Sequence, residues 1–258
     1  MAHPIFETSR LSKAFGGLMA IMDLSFMVMP NQIKAIIGPN GAGKTTLFNI
    51  VTGIFPPTGG TVRFKGEVIN GDKPHRIAQK GISRTFQTVE LFENMTLMEN
   101  VMVGRHTRTR MGFLRSGLRL PGVKKEERSI LETAQERLNM VGLIHKANEP
   151  ASGLPLRERK LLEIARALAT DPQLVLLDEP AAALNETEMW RMAEIIRKIR
   201  DQGITVLLVE HRMDLVMSIS DEIVVLNYGE KIAEGAPDEI KNNQKVIDAY
   251  LGEEIEYA

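Results

Sequence analysis

The stretch "IIGPNGAGKTT", residues 36–46, constrains this chain more than any other. A short, near-continuous apolar run, "IKAIIG" (33–38), leads into it and predicts a strand covered on both faces. The loop fits the pattern G-x-x-x-x-G-K-[ST], and "TTLFNIVTG" (45–53) continues as a helix. Strand, glycine loop and helix in that order are what a phosphate cradle requires. Gly38, Gly41 and Gly43 let the backbone turn tightly and bring its N–H groups close to phosphate oxygens. The helix N-terminus adds the positive end of its dipole. Lys44 is spaced to reach β- and γ-phosphates, and Thr45 to bind Mg²⁺. A glycine turn before an ordinary helix would need neither of them.

A second element completes the cradle. In "LVLLDEP" (174–180) the apolar run ends at Asp178, so a buried strand delivers a carboxylate at its C-terminal edge, where ligands bind in open parallel sheets. Asp178 is expected to hold Mg²⁺, and Glu179 to polarise a water for in-line attack on the γ-phosphate. Taken alone, an Asp-Glu pair is also how a strand runs into a polar loop; the upstream cradle decides between the two. His211 follows the strand "ITVLLVE" (204–210) and is a candidate γ-phosphate contact, although a lone histidine there reads equally as a satisfied structural residue. Gln87, in "SRTFQTVELF" (83–92), ends another short strand and is a candidate to orient water or Mg²⁺.

The rest of the chain supplies the frame. "DLSFMVM" (23–29) alternates as a half-buried strand does, and "TVRFKGEVI" (61–69) suggests a hairpin turning at Lys65-Gly66. From about 88 to 160 the character changes to helical spacing, clearest in "KKEERSILETAQERLNMVGL" (124–143). Strands and helices then alternate: strand 173–179, helix 186–200, strand 204–210, short helix 211–219 and a hairpin over 222–235. That alternation means an α/β fold with a mainly parallel sheet, and the helical middle is an insertion into it. Trp190, on helix 186–200, is expected to pack rather than to bind.

Composition removes several functions. A formal net charge of −1 argues against a dedicated nucleic-acid binder. The absence of cysteine excludes a disulfide framework and a thiolate metal site. No apolar stretch approaches the roughly 18 residues needed to span a bilayer, and "MAHPIFETSR" carries no evident leader. A cytoplasmic protein is expected.

Together these motifs resemble those of the ATP-binding subunits of ABC transporters, over essentially the whole length. "GPNGAGKTT" is similar to Walker A, "LVLLDE" to Walker B with its catalytic Glu, Gln87 to the Q-loop and His211 to the switch histidine. The resemblance implies nucleotide contacts from Gly38, Pro39, Asn40, Gly41, Ala42, Gly43, Lys44, Thr45 and Thr46, with Mg²⁺ held by Thr45, Gln87 and Asp178. It makes Phe15, in "KAFGGL" (13–18), the aromatic residue that stacks on adenine; without it Phe15 would be assigned to the core. It makes "AAALN" (181–185) the D-loop, with Ala182, Ala183, Leu184 and Asn185.

"RTFQTVELFENMTLMENVMVG" (84–104), "LEIARALAT" (162–170), "VEHRMDLVMSISD" (209–221) and "AYLGE" (249–253) narrow the resemblance to branched-chain amino acid uptake, in the longer of its two ATPase types. Importers of urea or short amides share much of this pattern. The implied fold is a P-loop NTPase (RecA-like) α/β core with an antiparallel β-subdomain and an inserted α-helical subdomain. As one ABC ATPase domain, 1–87 and 161–258 would form the core with the β-subdomain, and 88–160 the helical subdomain. The implied cofactors are ATP and Mg²⁺. The implied partners are a second ATPase subunit, transmembrane permease subunits and, indirectly, a substrate-binding protein, at the inner face of the cell membrane.

One motif departs from the family. Where L-S-G-G-Q is expected, the chain has Leu154, Pro155, Leu156, Arg157 and Glu158. The resemblance implies that this tip caps the γ-phosphate held by a second subunit. Pro155 lacks the hydroxyl and a backbone donor, and Leu156 and Arg157 put side chains where close approach is wanted. Arg157 is expected to return some positive charge and Glu158 to repel phosphate. Either the tip has drifted on a helix kept for packing, through Leu161, Ile164, Ala165 and Leu168, or the subunit forms an asymmetric pair with a partner of ordinary signature. A chain impaired at both sites is the third reading.

A rival function is an ATP-dependent regulatory or nucleic-acid module of the same fold. Arg105, Arg108, Arg110, Arg115, Arg119, Lys124 and Lys125 form a basic stretch without acidic residues. Such a stretch is ordinarily a solvated loop; next it suits anionic headgroups beneath a membrane, then phosphate backbones.

Overall fold

The computed structural model describes residues 3–85, 90–105 and 121–256. Two sheets and a set of helices build it. The smaller sheet is antiparallel, in the order β2 (Leu18–Val28), β1 (Phe6–Phe15), β4 (Gly59–Phe64), β5 (Glu67–Val68). The Lys65-Gly66 turn joins its last two strands, both residues having the positive φ that a tight hairpin demands.

The larger sheet runs β10 (Glu230–Gly235), β9 (Glu222–Asn227), β3 (Ile33–Ile37), β8 (Thr205–Val209), β7 (Leu174–Asp178), β6 (Ile82–Arg84). All neighbours are parallel except the β10–β9 hairpin. Its central strands β3, β7 and β8 are buried at every position, as their near-continuous apolar runs require. Alternate residues go to opposite faces. Ile33, Ala35, Ile37, Val175, Leu177, Val206 and Leu208 join the core beneath the helices. Ile36, Leu174, Leu176, Leu207 and Val209 join a second core with Phe6, Leu24 and Phe64 of the antiparallel sheet. Helix α1 (Lys44–Val51) is part of that second core through Leu47, Phe48, Ile50 and Val51.

The helical middle comprises α3 (Leu97–Arg105), α4 (Pro121–Met140) and α5 (Leu156–Leu168), with α2 (Pro74–Lys80) before it. The expected packing face of α5 is correct: Leu161, Ile164, Ala165 and Leu168 are all buried. The sequence boundary between residues 160 and 161 falls inside α5, one unbroken helix whose apolar face is continuous with the main core. On the core side follow α6 (Glu186–Asp201), α7 (Met213–Ile219), α8 (Pro237–Lys241) and α9 (Gln244–Glu256). Helix α6 buries Met189, Met192, Ala193, Ile196 and Ile199, while Trp190 is 39% exposed. Of the basic stretch, 106–120 lies outside the described residues.

The two sheets are tied by one buried cation. Lys34, the second residue of β3, is 1% exposed. Its Nζ donates to the Met27 carbonyl at 2.6 Å, to Glu222 at 2.9 Å and to Glu234 at 2.5 Å. Burial pushes the Glu234 carboxyl up, but the hydrogen bonds and charges of Lys231 and Lys34 outweigh it and hold the group below the usual glutamate range. Because β3 carries the glycine loop, this knot positions the site. Lys34→Ala removes these bonds, leaves Glu234 with Lys231 as its partner, and is expected to cost about 1.5–3 kcal/mol in denaturant unfolding. A depressed carboxyl stabilises above its unfolded pKa and loses that contribution as pH falls through its folded value. The gap between wild type and Lys34→Ala therefore narrows below pH about 4.

Candidate nucleotide-binding site

The loop between β3 and α1 is held open by its glycines. Gly38, Gly41 and Gly43 have φ of 149°, 77° and 101°. A Cβ on Gly38 would collide with the Leu226 carbonyl oxygen, so the loop can lie against β9 only with glycine there. The Tyr228-Gly229 turn braces it from above: the Gly229 N–H donates to Ala42 O at 3.2 Å, and the Met22 N–H to Gly229 O at 2.8 Å. Lys44 is 6% exposed and folded back, its Nζ donating to Gly38 O at 2.6 Å and Pro39 O at 2.7 Å.

A cavity of about 530 Å³ opens over this loop. Phe15, Leu18, Met19, Ala20 and Tyr228 line one part, Asn40 through Thr46 the floor, and Glu179 and His211 the far end. Phe15 is 41% exposed and stands edge-on to Phe55 at 5.3 Å, so its ring is fixed while part of it faces open space. Phe15, Asn40, Gly41, Ala42, Gly43, Lys44, Thr45, Thr46, Glu179 and His211 thus meet in one cavity, as expected from sequence. His211 Nε2 lies 3.1 Å from Glu179 Oε1. Gln87 lies outside the described residues.

Asp178 sits below the cavity at the end of β7, 3% exposed. Burial pushes its carboxyl up, against the hydrogen bond and charge of Arg84, which pairs with it at 2.8 Å. Arg84 also donates to Asn49 at 2.7 Å and stacks over Phe48 at 5.4 Å, tying β6, β7 and α1 together. Sequence reasoning missed it; the only signal was a cation at the end of a short strand otherwise read for Gln87.

It missed two more buried charges. Lys160 of α5, 7% exposed, donates from Nζ to the Glu179 carbonyl at 2.8 Å, and burial pushes its pKa down. Glu210, 1% exposed, accepts from the main-chain N–H groups of Ala181 at 2.6 Å, His211 at 3.1 Å and Arg212 at 3.4 Å. Burial raises its carboxyl more than those bonds lower it. Glu179 itself lies in the left-handed region at φ 49°, as does Ala183 at φ 60°.

Residues 154–158 and 182–185 do not line the cavity. Pro155 is the N-cap of α5 and offers no side-chain cap, and Leu156 is 44% exposed. Within the chain Glu158 bonds Lys146 at 2.7 and 2.9 Å, whereas Arg157 only approaches Glu188 at 3.9 Å, a carboxylate already engaged in the α6 cap. Of the D-loop residues, Leu184 is buried and Asn185 caps α6, accepting from the Glu188 N–H at 2.9 Å while Glu188 accepts from the Asn185 N–H.

The ABC transporter family model matches residues 21–182, from the antiparallel sheet through the loop, α5 and Asp178-Glu179 to the D-loop. The chain belongs to the ABC transporter family. This ABC subunit is 46% identical to the high-affinity branched-chain amino acid transport ATP-binding protein BraF of Pseudomonas aeruginosa, covering 98% of this chain and 100% of that protein. It is 42% identical to LivG of Escherichia coli, of the same description, with the same coverage. A second model, described as branched-chain amino acid ATP-binding cassette transporter, matches residues 230–256. Among solved structures, the ADP conformation of MJ1267, an ATP-binding cassette of an ABC transporter, superposes with a TM-score of 0.85 at 32% identity, over 97% of this chain and 100% of that one. A nucleotide-free cassette gives 0.84 at 33% identity, over 96% and 99%. The ABC chain is accordingly an ATP-binding subunit with the P-loop NTPase fold expected of it. Among its described residues no helix is long and apolar enough to cross a membrane.

Proposed function

We propose that this chain binds and hydrolyses ATP to drive uptake of branched-chain amino acids through separate membrane subunits. The observation that carries the reading is the single cavity that joins the glycine loop, Lys44 and Phe15 to the Glu179–His211 pair. The adenine stacks on Phe15, and the phosphates lie along the 40–46 backbone with Lys44 released from its two carbonyls. Glu179 takes a proton from the attacking water, and His211 holds that carboxylate in place through Nε2.

The donors suit Mg²⁺. It takes few carboxylates and keeps water and phosphate oxygens, and the chain offers one hydroxyl beside the loop lysine and one carboxylate at the end of β7. Thr45 and Asp178 would hold it, with Gln87 assigned by resemblance alone, and it would neutralise charge developing on the phosphates. The membrane subunits dock in the hollow of about 520 Å³ between the core and the helical middle, lined by Arg84, Leu91, Phe92, Glu163 and Arg166.

The working unit is a heterodimer. A γ-phosphate cap needs close backbone approach at a helix N-terminus, and Leu156 projects 44% exposed where glycine is wanted. With Glu158 paired to Lys146, the projecting Leu156 and Arg157 side chains are the main obstacle. The partner contributes an ordinary signature to this chain's nucleotide, and the site facing residues 154–158 turns over slowly. The test is molar mass in solution of Glu179→Gln with ATP and Mg²⁺. The chain should bind ATP and remain monomeric, and dimerise once Leu156→Gly and Arg157→Gly are added. An ATP-dependent homodimer of the chain with its native tip would overturn the asymmetric assignment, and failure to bind ATP would overturn the function.

A further inference from the structure

Behind the cavity lies a set of buried charges that nucleotide binding does not use. Glu179 has the left-handed φ of 49° that non-glycine residues avoid, so something must hold its backbone. Its N–H donates to Val209 O at 2.9 Å. Its carbonyl receives both the Lys160 ammonium at 2.8 Å and the Ala182 N–H at 3.1 Å. Lys160 projects from α5 beyond the tip at 154–158, so the helix reaches the Glu179 main chain through this ammonium.

Glu210 performs the corresponding task one strand away. Its two carboxylate oxygens collect the N–H of Ala181, at the start of the D-loop, and those of His211 and Arg212. Arg212 then donates to Leu184 O at 3.2 Å, closing the D-loop against the same turn. Neither Lys160 nor Glu210 lines the cavity. Each can act on the reaction only through the groups it holds.

We propose that Lys160 and Glu210 are positioning residues for hydrolysis: Lys160 fixes the backbone of the base Glu179, and Glu210 holds the D-loop and the His211 turn in register with it. The proposal rests on Glu179 being the base. It also gives α5 a second task. The helix whose tip faces the partner's nucleotide grips the base of its own site through one hydrogen bond, so a shift of the tip is felt at Glu179.

The test uses the assembled transporter and steady-state ATP hydrolysis. Lys160→Met should lower kcat about 10- to 100-fold while KM for ATP stays within about twofold, since the loss is felt at the base and not in binding. Lys160→Arg, which keeps the cation and a donor, should recover most of the rate. Glu210→Gln carries the same kcat-only expectation and serves where Lys160→Met does not assemble. The deciding comparison is the double variant. In a Glu179→Gln background, Lys160→Met should reduce the single-turnover rate no further, because its effect passes through Glu179. An additional loss of the same factor, a raised KM with unchanged kcat, or wild-type turnover in Lys160→Met and Glu210→Gln would each overturn the proposal. A wild-type complex that binds ATP without hydrolysing it would remove the base assignment itself, a distinct failure visible before any variant is made.

Discussion

Lys44→Ala loses nucleotide affinity by about 100-fold or more, from charge-assisted bonds worth about 1.5–3 kcal/mol each to the β- and γ-phosphates. The side chain is 6% exposed and already bonds two carbonyls of the loop, so it is held within reach of the phosphates at little entropic cost. Exchanging two neutral carbonyls for phosphate oxygens makes the same ammonium far more effective. The loss should be confined to nucleotides that carry β- and γ-phosphates. Binding of AMP, which relies on Phe15 and the loop backbone, should change little. Titration calorimetry with ATP, ADP and AMP reads the pattern directly, and an equal loss for all three would mean the variant had only disordered the loop.

Glu179→Gln should cut turnover by orders of magnitude while sparing binding. A positioned general base typically contributes about 100- to 10,000-fold, and the amide has no basic lone pair to replace it. Glutamine preserves the shape and can still accept from His211 Nε2, at 3.1 Å in the native pair. The left-handed backbone at residue 179 is held from Lys160 and Val209 and does not depend on the carboxylate. Bound nucleotide recovered after incubation should be ATP in the variant and ADP in the wild type. Retention of a rate within tenfold of wild type would move the base elsewhere.

What the chain revealed in advance was local. "KAIIG" followed by "PNGAGKTT" dictates a buried strand, a glycine loop and a helix because each piece is set by residues within a few positions of it. The same holds for α6, whose apolar spacing was readable, although the Asn185–Glu188 cap was not among the readings. The charges that organise the site were not readable. Arg84 meets Asp178 across 94 positions, Lys160 meets Glu179 across 19 and Glu210 meets Ala181 across 29. A lysine in "RERKLLEIARALAT" looks like any other solvated helix charge until packing buries it. The partner of Glu158 was hidden for the same reason: Lys146 arrives from the short turn before α5. The hairpin over 222–235 was legible, but not Tyr228 as part of the cavity wall, because the register between the β9–β10 turn and the loop is a tertiary matter.

The most direct test of the whole account is uptake by proteoliposomes carrying this chain with its permease and partner ATPase subunits, supplied with ATP on the nucleotide side. Radiolabelled leucine, isoleucine or valine should accumulate only with ATP and Mg²⁺, and accumulation should vanish with Glu179→Gln. ATP-driven accumulation of urea or a short amide in place of all three, or uptake of leucine unaffected by Glu179→Gln, would contradict it.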